Sequence, residues 1–226
     1  MSRNNAGLSA ERIITEALRI IDGQGLRRLT MRRLGDALEV EAMAVYHHFP
    51  LGKEALFDGI VDYITDVSRA DTTLAPADPP AGAPGSGDGD DDTDDDPVDD
   101  RPWDERLRGW AYDYRARLLR HSGALPLLIN RRPDSVAALR ALDLHYAAFT
   151  EAGLNGAAVV RAGAALDAYV TGAVVHEVRA GGLPGPDPAS VDGRFPHVAA
   201  LRDVGADHEQ EFREGLDTLL AGLTGR

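Results

Sequence analysis

The segment from Thr30 to Lys53, near the start of the sequence, constrains the fold of this chain more than any other. Thr30 can cap the N-terminus of a helix, because its hydroxyl accepts a backbone N–H that has no partner within the helix. Leu34 and Leu38 share one face of that helix, and Val45 lies in a second short helix that a proline ends. Such a pair is typical of a protein that lays its second helix in the major groove of DNA. An ordinary helical hairpin in a bundle would show the same periodicity.

The same segment resembles the DNA-binding domain of the tetracycline-repressor (TetR) family of bacterial regulators. The family motif is matched at Thr30, Arg32, Leu34, Leu38, Val40, Val45, Tyr46, His48, Phe49 and Lys53. The stretches LSAERIITEALRIIDGQG and KEALFDGIVDYITDV are similar to the family's first and fourth helices, so the resemblance covers residues 8–69. Gly35 stands in place of Ala, Glu39 stands in place of Gly in the turn, and one extra residue precedes Lys53.

The resemblance implies which residues contact operator DNA. They are Thr30, Arg32, Ala42, Met43, Ala44, Tyr46, His47 and Lys53. The three residues that open the second helix carry no hydrogen-bonding fork, so base recognition would depend on Arg32, Tyr46, His47 and methyl contacts to thymine. The neighbouring basic side chains could contact phosphates.

The net charge of −13 argues at first against DNA binding, but it is unevenly distributed. Residues 71–100 contain 11 Asp and no Lys or Arg, whereas residues 1–53 contain 8 Arg and Lys against 6 Asp and Glu. The end of the chain that would face DNA is therefore mildly basic. Affinity for DNA depends on such local patches rather than on the net charge.

The acidic stretch is predicted to be a disordered linker over residues 70–101. It has almost no bulky apolar residue, so it cannot bury enough surface to offset the entropy lost on ordering. Its DGDDDTDDD run lacks the Gly and Glu that a calcium-binding EF-hand loop needs at its sixth and twelfth positions. The predicted domains are a helix-turn-helix DNA-binding domain with its connecting fourth helix at 1–69, and a helical effector-binding and dimerisation domain at 102–226.

Helical periodicity returns after the linker without strand-like alternation, so the sequence predicts an all-α fold. This half resembles the effector domain of tetracycline repressors more weakly, at NRRPD, TGAVVHE and EFREGLDTLLAGL. The resemblance implies a homodimer formed by helices predicted at 155–179 and 207–223. The residues expected in its interface are Ala162, Ala165, Phe212, Leu216, Leu219 and Leu220; from composition alone, both helices could equally be intrachain core.

Seven residues of this half are candidates for a small-molecule pocket with apolar walls and a few polar tips. They are Trp110, Tyr114, Leu128, His145, Phe149, Tyr169 and His176, and any of them could instead be a core residue. The family residues that hold a tetracycline–magnesium complex are replaced at positions corresponding to about Arg69, Leu128 and His176, which does not support coordination of a hard cation. The predicted effector is an unknown apolar or aromatic small molecule, with no metal and no cofactor.

Other classes of protein find little support. There is no Cys nucleophile, Gly-rich phosphate loop or G-x-S-x-G elbow, so an enzyme is not predicted. The absence of Cys fits a reducing cytoplasm, and without a run of 18 apolar residues no membrane span is expected. The sequence predicts a cytoplasmic, ligand-responsive repressor that a small molecule releases from a palindromic operator. The alternative is a helical ligand-binding or scaffolding protein that has lost operator binding.

Overall fold

The computed structural model describes residues 7–67, 99–131, 133, 135–183, 194–201 and 204–225. Within these ranges the chain forms ten α-helices and two short 3-10 helices, and it contains no β-strand. The all-α fold predicted from the helical periodicity is therefore confirmed.

Four helices form the N-terminal domain. They are α1 (Ala10–Gln24), α2 (Met31–Ala37), α3 (Ala42–His48) and α4 (Lys53–Thr65), with a 3-10 turn at Leu26–Arg28. The Ser9 hydroxyl caps α1 by accepting the Arg12 N–H at 3.1 Å. One face of α1 is buried against α2 and α4, and Ile13 and Leu18 are fully inaccessible to solvent. This apolar face fixes the frame on which α2 and α3 are held.

The remaining helices form the larger C-terminal domain. They are α5 (Trp103–Arg120), α6 (Leu125–Asn130), α7 (Val136–Glu151), α8 (Ala157–Gly182), α9 (Pro196–Leu201) and α10 (His208–Thr224), with a 3-10 turn at Ser122–Ala124. Helix α5 packs against both α7 and α8, and α10 packs against α8. A Cβ at Gly163 would lie 3.0 Å from Cε1 of Tyr146, so a glycine is what lets α7 and α8 approach closely there.

Buried polar contacts join the two domains. The buried Arg117 guanidinium on α5 donates to the carbonyl oxygens of Tyr63, at 2.9 Å, and of Asp66, at 2.6 Å. These bonds satisfy carbonyls at the C-terminal end of α4, which have no partner within the helix. His121 Nδ1 lies 2.7 Å from Asp22 Oδ2 at the end of α1. Helix α4 is thus tied to the C-terminal domain through its own backbone.

The predicted acidic linker falls mainly on residues 68–98, which lie outside the described residues. Most of the Pro- and Gly-rich stretch at 183–196 also lies outside the described residues. Helix α4 ends at Thr65 and α5 begins at Trp103. The domain boundaries at 69 and 102 remain predictions.

Helix α8 is long and apolar enough, by length and composition alone, to cross a membrane, although the sequence contains no run of 18 apolar residues and no span is expected from it. A single helix of this kind is weak evidence for a span, because core helices of soluble proteins have the same character. Of its most apolar window, 33% is buried within this chain, where α8 packs against α5, α7 and α10.

Candidate functional site

Helices α2 and α3 form a helix-turn-helix unit with a tight turn. The Thr30 hydroxyl caps α2 by accepting the Arg33 N–H at 3.1 Å. Glu39 has a φ of 57°, the only positive φ of a non-glycine residue in the described part of the chain. A Cβ at Gly35 would lie 3.0 Å from the Val40 carbonyl oxygen, so the turn leaves no room there for a larger side chain. Both departures from the family motif therefore fall where the turn is most restrictive.

The outward face of α3 presents side chains that can reach a DNA groove. Met43 is 63% exposed and Tyr46 is 38% exposed. His47 on α3 and Arg32 in the first turn of α2 are also exposed. These four predicted DNA-binding residues are therefore accessible.

The other predicted DNA-binding residues are placed less favourably. Ala44 is 5% exposed, because its methyl group packs in the core of the unit, and it is not accessible to a base. Ala42 is half-buried, and Thr30 is exposed although its hydroxyl already caps α2. Lys53 is the first residue of α4, and its Nζ lies 5.1 Å from the centroid of the Phe57 ring.

A half-open cavity of about 650 Å³ lies between α4 and the helices of the C-terminal domain, and several of its lining residues, such as Leu139, are exposed. Its walls come from five helices: Val61 and Thr65 of α4; Trp110 and Tyr114 of α5; Leu128, Ile129, Asn130 and the following Arg131 from α6; Leu139, Leu142, His145 and Tyr146 of α7; and Val160, Gly163, Ala164, Asp167 and Thr171 of α8. The volume and the mostly apolar lining are those of a small-molecule site.

Three aromatic side chains provide the polar tips of this cavity. The Trp110 and His145 rings meet edge to face with centroids 4.1 Å apart, and Trp110 lies 5.0 Å from Tyr114. Trp110 Nε1 and His145 Nε2 are buried without a hydrogen-bond partner among the described residues. Burial lowers the pKa of His145 to about 4, so at neutral pH this imidazole is uncharged and offers one donor and one acceptor.

A carboxyl group on α8 adds a further polar element to the cavity. Asp167 remains partly exposed, and partial desolvation of its carboxyl group raises its pKa. Burial also raises the pKa of Tyr114, and the Asp167 carboxylate raises it further, while Thr171 is a hydrogen-bonding neighbour of the phenol. Sequence reasoning missed Asp167 and Thr171, although an acidic residue in the middle of an otherwise apolar helix was an available signal.

Three of the seven predicted pocket residues do not line this cavity. Phe149 is fully buried in the core. Tyr169 and His176 line a separate, smaller cavity between α8 and α10, where the Tyr169 hydroxyl donates to the Phe212 carbonyl oxygen at 2.7 Å. The helical period explains the separation, because Asp167 and Thr171 share one face of α8 whereas Tyr169 and His176 point elsewhere. Trp110, Tyr114, Leu128 and His145 remain together in the larger cavity.

Most of the residues predicted to form a dimer interface are buried within one chain. Ala162, Phe212, Leu216 and Leu220 are each at most 2% exposed, and Ala165 and Leu219 are half-buried. The leucine stripe of α10 faces α8 of the same chain. Composition left open whether this stripe forms a dimer interface or an intrachain core, and within the single chain it packs as core.

Arg131 connects the cavity to the first turns of α4. The residue lines the cavity, and its guanidinium forms ion pairs with Glu54 and Asp58. It also lies 5.2 Å from the centroid of the Phe57 ring, the ring that Lys53 approaches. A displacement of Arg131 therefore reaches the N-terminal end of α4 directly.

A helix-turn-helix with an exposed second helix, joined by α4 to a helical domain that lines a large cavity, defines a ligand-responsive DNA-binding transcriptional regulator. The chain belongs to the TetR family of such regulators. The family model for bacterial regulatory proteins of the tetR family matches residues 13–60. The model for the tetracyclin repressor-like C-terminal domain matches residues 96–226, more than half of the chain. The resemblance inferred from the sequence is confirmed in both domains.

Similar proteins match along nearly the whole chain. A helix-turn-helix-type transcriptional regulator of Saccharopolyspora erythraea is 26% identical over 98% of this chain and 87% of its own length. A Streptomyces coelicolor A3(2) protein described as a possible TetR family regulator is 28% identical, with a TM-score of 0.71 and coverage of 96% and 99%. Streptomyces coelicolor ActR in complex with actinorhodin has a TM-score of 0.69 at 21% identity, covering 97% and 98%, and shows the shared fold.

Proposed function

We propose that an aromatic or otherwise apolar small molecule binds the larger cavity, the proposed effector cavity, and releases the chain, acting as a homodimeric repressor, from a palindromic operator. The observation that carries this proposal is that Val61 and Thr65 of α4 form part of the cavity wall. Helix α4 begins only a few residues after the helix-turn-helix unit, so a ligand in the cavity contacts the DNA-binding domain itself. Catalysis is assigned to no residue, and the cytoplasm is the compartment that suits this role.

The cavity chemistry favours a planar, largely neutral ligand with hydrogen-bonding groups at its edge. Trp110 Nε1 can donate, and the uncharged His145 can donate or accept. Apolar walls would leave an unpaired ionic group of a ligand poorly solvated. Streptomyces coelicolor ActR, which shares this fold, forms a complex with actinorhodin in its crystal structure. Asp167 is the only carboxylate among the lining residues described, which does not favour a magnesium-bridged complex.

Release from DNA requires the ligand to bind two orientations of the DNA-binding domain with different affinity. The Arg131 contacts with Glu54 and Asp58 supply a link that can differ between such orientations, because they join the cavity rim to the first turns of α4. The bonds from Arg117 to the opposite end of α4 hold that end to α5. A ligand that displaces Arg131 would therefore move the N-terminal end of α4 more than its C-terminal end.

The proposed operator has two half-sites whose major grooves lie about 34–36 Å apart. The exposed side chains of Met43 and His47 on α3, together with Arg32, would contact the base edges, and Tyr46 would contact the DNA backbone. Lys53 would contact a phosphate.

The proposed dimer uses the outward faces of α8 and α10. Ala168 and Gly172 on α8 are exposed, and nothing lies within 4 Å of the place where a Gly172 Cβ would be. Small residues on this face would let a second helix approach closely. Ala168→Arg should convert the dimer to monomers in sedimentation velocity, whereas Ala157→Arg, at the exposed start of the same helix, should not. An intact dimer in Ala168→Arg would place the interface elsewhere.

A two-part experiment tests the proposed function. Operator binding is measured by fluorescence anisotropy with DNA from the region upstream of the chain's own gene and with scrambled DNA of equal length. Aromatic compounds are then screened for a rise in Tm and for release of that operator. Trp110→Phe keeps an aromatic side chain but removes the N–H together with the five-membered ring of the indole, so both effects should need about tenfold more ligand. Tyr112→Phe, outside the cavity, should leave the required ligand concentration unchanged. Binding of compounds without operator affinity would favour the alternative, a ligand-binding protein that no longer binds DNA.

A further inference from the structure

A second, smaller cavity lies between α8 and α10, on a different face of α8 from the effector cavity. Its volume is about 140 Å³. Two imidazoles and one carboxylate meet there: His176 on α8, and His208 and Glu211 in the first turn of α10. One potential metal-binding atom from each lies within 4.8 Å of the other two. His208 Nδ1 is 3.0 Å from Glu211 Oε2, and the two imidazole rings are 6.0 Å apart between centroids.

The electrostatic surroundings of this cluster suit a cation. Arg115 is the one guanidinium in the wall of the cavity among the described residues, and it pairs with Glu177 at 2.8 Å and Glu209 at 2.5 Å. These two carboxylates more than neutralise the positive charge of Arg115, even without Glu211. Three carboxylates and one guanidinium give the group a net charge of −2 with both imidazoles neutral.

We propose that His176, His208 and Glu211 bind a divalent transition-metal ion, with Zn²⁺ as the ion best suited to them. Two imidazole nitrogens and one carboxylate oxygen are borderline ligands that favour Zn²⁺ and its neighbours over Mg²⁺ or Ca²⁺. Bond lengths of about 2.0–2.2 Å in a tetrahedral site separate the ligand atoms by roughly 3.3 Å. Because the three ligand atoms already lie within 4.8 Å of one another, the widest separation must shorten by at most about 1.5 Å, which rotations of the partly exposed side chains can supply.

The bound ion would join α8 to the first turn of α10 and leave a fourth position for water or an anionic group. It is independent of the effector cavity, since none of the three ligands lines that cavity. The sequence offered only a weak signal for it: an H-x-x-E spacing at 208–211 and a distant His at 176. The three residues become a cluster only when α10 packs on α8.

The test measures metal binding to the full chain after removal of metals with EDTA. Isothermal titration with ZnCl₂ should give one ion per chain, and Co²⁺ should give the visible bands of a tetrahedral complex. At a hundredfold excess over Kd, Zn²⁺ should raise the Tm by roughly 5–10 °C. His176→Ala and His208→Ala should abolish all three signals, and Glu211→Gln should weaken affinity at least about tenfold.

The matched control is His197→Ala, which removes an exposed imidazole on α9 that lies outside the cluster. It should bind Zn²⁺ like the wild type, and Mg²⁺ should give no signal with any variant. Circular dichroism in EDTA checks that each variant is folded. Zn²⁺ binding that is absent from the folded wild type, or that persists unchanged in His176→Ala and His208→Ala, would overturn the proposal.

Discussion

The turn of the helix-turn-helix unit contains a residue whose backbone conformation is unfavourable, and replacing it should stabilise the chain. Glu39 adopts a φ of 57°, which costs an L-residue other than Gly roughly 1–2 kcal/mol. Glu39→Gly removes this cost, but the more flexible glycine offsets about 0.4–1 kcal/mol through the unfolded state. The net gain is about 0.5–1 kcal/mol, or roughly 1–4 °C in Tm for a chain of this length.

Two control variants separate backbone strain from the loss of the carboxylate. Glu39→Ala removes the charge but keeps a Cβ, so its stability should stay within about 0.5 kcal/mol of the wild type. Ala37→Gly, in the last turn of α2, should lose about 0.5–1 kcal/mol because its conformation is helical. Urea denaturation at equilibrium measures all three. The reasoning is refuted if Glu39→Gly is no more stable than Glu39→Ala.

Three further predictions concern the DNA-facing helix, the cavity and the link between them. Tyr46→Ala should weaken operator and scrambled DNA alike in anisotropy titrations, whereas Arg32→Ala should lose about 1–3 kcal/mol on the operator alone if the arginine reads a guanine. Because burial lowers the pKa of His145 to about 4 in the folded chain, the unfolded chain takes up this proton first as the pH falls below 6.5. The free energy of unfolding of the wild type should therefore fall by up to about 3 kcal/mol between pH 6.5 and 4. His145→Asn should not show this loss, and urea denaturation across that pH range measures the difference. Arg131→Ala should cost only about 1 kcal/mol of stability, since its partners are exposed. The same variant should reduce effector-dependent operator release several-fold. Arg106→Ala, which removes a similar ion pair with Glu151 inside the C-terminal domain, should leave that release unchanged.

The features of this fold that depend only on residues close together in the sequence can be predicted from local sequence patterns. The Thr30 cap, the helix-turn-helix unit and the helical periods of the second half follow from capping preferences and apolar spacing. The faces used by α8 and α10 do not, because an apolar residue serves equally well against the same chain or against a partner. Phe212 and Leu216, which the resemblance places in a dimer interface, are buried within one chain. The link between Arg131 and Glu54 joins residues 77 positions apart, a distance at which spacing carries no information.

The composition of α8 follows from the number of surfaces that this helix must satisfy at once. One face lines the effector cavity, a second packs against α5 and α10, and a third, with Ala168 and Gly172, is exposed in the single chain. A helix that is apolar on all sides requires cover on all sides, and only 33% of its most apolar window is buried here. Asp167 interrupts the apolar sequence of α8 near the middle of the helix, where a bilayer would penalise a carboxyl group heavily. The small exposed residues permit close approach by another helix, and a second copy of the chain would provide that cover without placing Asp167 in lipid.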